Sequence, residues 1–296
     1  MIPPFDDQAR AVYGPAIKPV AHHGPANVIR RLLFALPVVL IAQFALAASV
    51  LAAPPDRDGG KKPPKPTPPP VARGYDISYP QCGAAYPANP AFAMVGVNGG
   101  RVFSVNSCLA SQIAWGGGPA AGLYANTGNP GPALSTFWPK GQTTPRFCDA
   151  NNADTADCAF DYGWNAAQQS VDTATAAYQQ LGYTASPAAS AWWLDVETAN
   201  SWRSDRLDFN VASLQGAVAY LQSVGVAKIG FYSTTYQWGV ITGGSKVFSP
   251  MPVWGAGSSS LSAAQSLCAS TTTSFTGGPL TIVQYPYNGF DADVRC

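Results

Sequence analysis

Apolar and polar positions along residues 71–296 follow two rhythms. Short apolar, β-branched and aromatic runs, bounded by Gly, Pro, Asn or Ser, predict strands at 74–79, 93–98, 120–125, 191–196, 228–233, 251–255 and 280–285. Between them, Trp164, Gln168, Val171, Ala174, Tyr178 and Leu181 recur at steps of three and four and predict a helix over 161–181. Leu214, Val218, Leu221 and Val224 predict a second over 208–224, and a weaker helical pattern covers 105–115. Residues 126–158 are polar and rich in Gly and Pro, and read as a long loop. Strands alternating with helices imply an α/β architecture with a parallel sheet. The 226 residues suit one TIM-like barrel or two small domains, and no linker-like break divides them.

The first 70 residues have a different composition. Arg30 and Arg31 precede an apolar run over 32–53 that ends in small residues, the pattern of an export signal. The run is also long enough for an uncleaved membrane anchor. Residues 1–53 are therefore assigned to an N-terminal extension with a signal peptide or anchor. Residues 54–70, dense in proline and lysine, form an extended linker, and the domain occupies 71–296. The cysteines agree with export. Cys82, Cys108, Cys148, Cys158, Cys268 and Cys296 all follow the apolar run, and an even count in an exported domain predicts disulfides. Many pairings are open. Proximity favours Cys148–Cys158, neighbouring strands favour Cys82–Cys108, and Cys268–Cys296 remains. The expected location is secreted or wall-associated, or outside the cell on an anchor, with the membrane touched only through the N-terminal segment.

Composition narrows the chemistry. From residue 71 the chain carries nine basic and twelve acidic side chains and no basic run, which argues against nucleic acid as a partner. The two histidines, His22 and His23, precede the apolar run, so the domain has no histidine for a nucleophile triad. No phosphate loop, dinucleotide fingerprint or metal-ligand spacing is present, and no cofactor or metal is expected. Carboxylate chemistry remains.

Glu197 is the chain's one glutamate. It lies in Trp192-Trp193-Leu194-Asp195-Val196-Glu197, where strand alternation puts Trp193, Asp195 and Glu197 on one face. Two carboxylates at that spacing, roughly 7 Å apart on a strand, cannot both ionise freely. The expectation is that Glu197 carries the raised pKa, as a general acid for glycosidic cleavage needs. Catalytic groups of a parallel barrel collect at the C-terminal ends of its strands. Asp76 in the first strand, Asp195 and Glu197 at the end of a central one, and Asp291 after the last readable strand fit that position. Asp293 reads as a solvated loop residue or a partner of Arg295. Trp254 and Tyr285 are candidate aromatic surfaces for sugar rings.

The ordered set Gly74-Tyr75-Asp76-Ile77-Ser78, Leu194-Asp195-Val196-Glu197, Gly230-Phe231-Tyr232-Ser233-Thr234, Pro252-Val253-Trp254 and Val283-Gln284-Tyr285 with Phe290-Asp291 resembles glycoside hydrolase family 25, the Chalaropsis-type lysozymes, in a cysteine-bearing secreted branch. The resemblance implies an irregular (β/α)5β3 barrel and cleavage of β-1,4 muramic acid linkages in peptidoglycan. It makes Glu197 the acid/base and Asp195 the partner of the substrate acetamido group. Asp76 and Asp291 complete an acidic cleft lined by Tyr232 and Gln284. The protein would act as a monomer. The strands at 93–98 and 120–125 lack the charged and histidine-bearing endings usual there, and Val283 stands where Trp is usual. Two alternatives follow: a glycan-binding barrel without turnover, or a same-fold hydrolase for another N-acetylated glycan.

Overall fold

The computed structural model describes residues 72–270 and 274–296. The signal or anchor at 1–53 and the linker at 54–70 lie outside the described residues. Eight strands close a barrel in sequence order: β1 (Gly74–Ile77), β2 (Ala93–Gly96), β3 (Gly122–Asn126), β4 (Trp192–Asp195), β5 (Ile229–Ser233), β6 (Val253–Gly255), β7 (Leu280–Tyr287) and β8 (Phe290–Arg295). Neighbours from β1 to β7 are parallel, and β8 runs antiparallel to both β7 and β1. The helices are α1 (Leu109–Trp115), α2 (Ala156–Gln180), α3 (Leu207–Ser223), α4 (Thr235–Thr242) and α5 (Leu261–Cys268). They follow β2 to β6 in turn.

Seven strands and three helices stand where periodicity puts them, with ends shifted by a few residues. Periodicity did not yield α4 or α5, which are short, or β8. The strand β8 follows a turn at Asn288 and Gly289, with φ of 51° and 80°. Asn-Gly is the pair that adopts this hairpin turn with little strain. Its strand Phe290-Asp291-Ala292-Asp293-Val294-Arg295 does alternate, but with polar groups inward. Ala292 and Val294 face outward with Tyr285 and Val283 against Ala264 of α5, so Asp291, Asp293 and Arg295 face the barrel axis.

The main core lies between the strands and the helices. Leu123, Leu194, Phe231 and Val253 from the strands meet Ile113, Val171, Leu214, Leu221 and Trp238 from the helices. The inner face of β4 turns the other way, and Trp193 packs with Met94, Trp254 and Ile282 inside the barrel. Three disulfides, Cys82–Cys108, Cys148–Cys158 and Cys268–Cys296, brace the periphery. The second closes the loop between β3 and α2, and the third ties α5 to the end of β8.

Helices α2 and α3 pack closely because Gly216 has no side chain. A Cβ there would lie 1.9 Å from the Phe160 carbonyl oxygen, backbone that cannot swing aside. Gly216→Ala should force the helices apart and cost about 1–3 kcal/mol, as overpacking does. Urea unfolding of the variant beside the wild type measures this as a lowered midpoint with a similar slope.

Candidate active site

Inward-facing side chains fill the barrel in two layers. The lower is apolar: Met94, Trp193, Trp254 and Ile282. Trp193 and Trp254 meet edge to face, with centroids 5.9 Å apart, and Tyr232 packs on Trp254 at 4.6 Å. The upper layer, toward the C-terminal ends of the parallel strands, is polar. Tyr232 Oη donates to Gln284 Oε1 at 2.8 Å, and Gln284 Nε2 donates to Asp76 Oδ2 at 3.0 Å. Across the barrel Asn126 Nδ2 donates to Asp195 Oδ2 at 2.5 Å.

The carboxylates divide by burial. Asp76, Asp195 and Asp293 are enclosed, Glu197 is half-buried and Asp291 is exposed at the mouth. Burial pushes Asp195 well above the usual carboxylate range, and the adjacent Glu197 carboxylate raises it further, partly offset by Asn126. The member of the pair that the structure buries and shifts is thus Asp195, whose Oδ1 has no partner. Asp76 is likewise raised well above its ordinary value, first by burial and then by Asp293 and Asp291. The Tyr124 hydroxyl, beside Ser78 on the same interior, is raised by burial and by Asp76 and Asp195.

The backbone at Glu197 is fixed while its side chain is left to the cleft. Trp202 Nε1 donates to the Glu197 carbonyl at 2.9 Å, and the Asn200 amide donates to the same oxygen at 3.0 Å. Thr198, next along, gives its amide to Gln237 Oε1 at 2.6 Å. The chain therefore turns away from β4 immediately after presenting the carboxylate.

Three sequence expectations need correction. Asp293 is neither a solvated loop residue nor a partner of Arg295. It is 0% exposed inside the barrel and accepts Trp254 Nε1 at 2.8 Å. Tyr285 does not line the cleft. It faces outward, 2% exposed, and its hydroxyl accepts from Arg73 Nε at 2.8 Å. Trp254 is 1% exposed and forms the floor under the cleft rather than an open sugar platform. Asp76, Asp195, Tyr232 and Gln284 do converge, with Glu197 beside Asp195 and Asp291 at the rim of β8. Sequence reasoning missed Tyr124, Asn126 and Asp293. The Asn-Gly turn before β8 was the available signal for the last of these.

The region that holds β4 to β6 also carries the sequence similarity. Residues 145–266 match the family described as Lysozyme-like protein 1. A 62-residue stretch is 44% identical to the probable GH family 25 lysozyme 4 of Dictyostelium discoideum. The chain is glycoside hydrolase family 25-like. The matched stretch is 21% of this chain and 28% of that relative, so this chain spans well under half of the relative's length. Among solved structures, the muramidase from Trichobolus zukalii aligns over 76% of this chain and 94% of its own, at 17% identity and a TM-score of 0.47. The bacterial lysozyme from Streptomyces coelicolor aligns over 76% and 92%, at 14% identity and a TM-score of 0.43.

Asp293 gives the site a measurable pH signature. Burial, reinforced by the nearby Asp291 charge and relieved in part by hydrogen bonds with Trp254 and Asp76, raises its pKa to about 8. An unfolded aspartate ionises near ~4. The folded state therefore holds this proton more tightly than the unfolded state. The resulting stability is complete below about pH 4 and is lost progressively as pH rises through about 8. Asp293→Asn keeps an acceptor for Trp254 and removes the titration. Its urea midpoint should fall less steeply than the wild type's between those limits, with Asp76 and Asp195 supplying the remaining slope.

Proposed function

We propose that the domain is an exported glycosidase that cleaves β-1,4 linkages of peptidoglycan, with Glu197 as general acid and base. The observation that carries this reading is the pairing of half-buried Glu197 with enclosed Asp195 at the C-terminal mouth of the barrel, above buried carboxylates and no histidine. Burial and the adjacent Glu197 carboxylate raise Asp195 well above the usual carboxylate range, so the site favours a bound proton. Glu197 delivers that proton to the glycosidic oxygen as the bond to the anomeric carbon breaks. The substrate's own acetamido oxygen attacks the same carbon, so no enzyme carboxylate needs to form a covalent bond. Asp195, with one oxygen held by Asn126 and the other unpartnered, aligns the acetamido N–H and offsets the positive charge that develops on the ring formed. Glu197, now ionised, takes a proton from the water that opens the intermediate.

The remaining groups support binding. Tyr232, Gln284 and Asp76 form one hydrogen-bonded chain across the barrel from β5 through β7 to β1, and a sugar hydroxyl can join it only where Asp76 keeps its position. Asp291 at the rim supplies an exposed acceptor. The substrate is the glycan strand of peptidoglycan, and the disulfides fit an oxidising compartment outside the cell. Residues 1–53 carry the domain there as a signal or anchor, and residues 54–70 space it from that segment.

Purified cell walls provide the test. The wild type should lower their turbidity and release reducing ends at N-acetylmuramic acid, identified by mass spectrometry. Glu197→Gln should keep the circular dichroism spectrum and lose about 10²–10⁴-fold in rate, the usual contribution of general acid–base catalysis. Asp195→Asn should also slow turnover. Wild-type rates in Glu197→Gln would refute the assignment. Equal glycan binding by both proteins with no digestion by either would make the barrel a binding module.

A further inference from the structure

The two mouths of the barrel differ in charge and in shape. The acidic cleft opens at the C-terminal ends of the parallel strands. A cavity of about 540 Å³ lies at the other mouth. A second hollow of about 250 Å³ adjoins it, and the two share Ala191, Trp193, Lys228, Ile282 and Arg295. The larger is lined mainly by apolar groups, among them Met251 and Val226, the smaller is more polar, and neither is lined by a carboxylate. The described connections at this mouth, residues 88–92, 116–121, 181–191, 224–228, 243–252, 269–270 and 274–279, contain no aspartate or glutamate. Their charges are Lys228 and Lys246, joined by Arg295 at the end of β8.

The cations bordering the hollows are not spent on neighbours of opposite charge. The ion pairs among the described residues use Arg146, Arg203 and Arg206, all on the cleft side of the domain or on its flank. Lys228 and Arg295 are exposed, and Arg295 rests over the Phe92 ring at 4.3 Å from its centroid. The chain enters the domain on this same face, at Ala72 just before β1. The sequence that leads there holds Lys61, Lys62 and Lys65, preceded by the apolar run of 32–53. An apolar hollow between unpaired cations suits a ligand with an anionic head and an apolar body.

We infer that the N-terminal mouth of the barrel is a docking surface for anionic phospholipid, taking a headgroup between Lys228 and Arg295 and leaving the acidic cleft pointed away from the bilayer. Basic groups near an anionic bilayer each contribute about fivefold in partition, and screening by salt weakens them. The anionic bilayer repels the carboxylates of the opposite mouth, which reinforces the same orientation. The inference is independent of what the cleft cleaves.

The test uses the full chain and phosphatidylcholine vesicles made with and without phosphatidylglycerol. The apolar run of 32–53 binds both kinds, so the difference between them isolates the anionic contribution. Sedimentation should show tighter binding to the phosphatidylglycerol vesicles. Lys228→Gln with Arg295→Gln should reduce that difference about 25-fold while near-ultraviolet circular dichroism stays unchanged. Hydrogen exchange on the anionic vesicles should protect residues 226–230 and 293–296 and leave 197–203 unprotected. Equal binding to the two vesicle types, an unchanged difference in the double variant, or protection confined to the cleft side would each overturn the inference.

Discussion

The hydrogen bond from Trp254 to Asp293 couples the two layers of the barrel interior. Its indole belongs to the apolar floor and its acceptor to the polar layer above, so one contact at 2.8 Å joins a packed plug to a carboxylate cluster. The plug keeps water from reaching the cluster from below. With solvent excluded on that side, ionisation of Asp76, Asp195 and Asp293 is disfavoured, and each of them is raised above the ordinary carboxylate range chiefly by burial. A smaller residue in place of Trp254 would open the floor and relax all three. Trp254, which read as a sugar platform in the sequence, thus acts on the carboxylates through the dielectric it imposes.

The division between Asp195 and Glu197 follows from where β4 ends. Asp195 is the last residue of the strand, still inside the barrel wall, with Asn126 of the neighbouring strand against it. Two residues later the backbone has left the sheet, and Trp202 and Asn200 anchor the carbonyl of Glu197 from outside. One carboxylate is therefore enclosed and hydrogen-bonded, and the other reaches the open cleft. A pair of identical chemical groups acquires two environments from a separation of two residues. The floor, the strand end and the anchored turn are all needed for this, and they come from β4, β6, β8 and the connection before α3.

Much of this was legible in the amino-acid order. The period of two fixed which side chains of β4 share a face, so the grouping of Trp193, Asp195 and Glu197 needed no tertiary knowledge. Helical spacing located α2 and α3, and the absence of histidine after residue 23 limited the chemistry to carboxylates. The pattern also located seven strands, because their outward faces pack apolar residues against helices.

Only the tertiary structure decided which face of β7 and β8 points inward. In most strands the apolar face is the buried one, and that rule selects Tyr285 and Val283 as inner and the aspartates as solvated. Here both faces are buried. The outer face meets α5, and the inner face meets other polar groups that can satisfy it. Burial of Asp293 becomes affordable only because Trp254, thirty-nine residues earlier in sequence, supplies a donor at that height in the barrel. No local window contains that partner. Alternation along a strand is a property of the chain, but which side becomes the interior is settled by the closure of the barrel and by the partners that closure brings together.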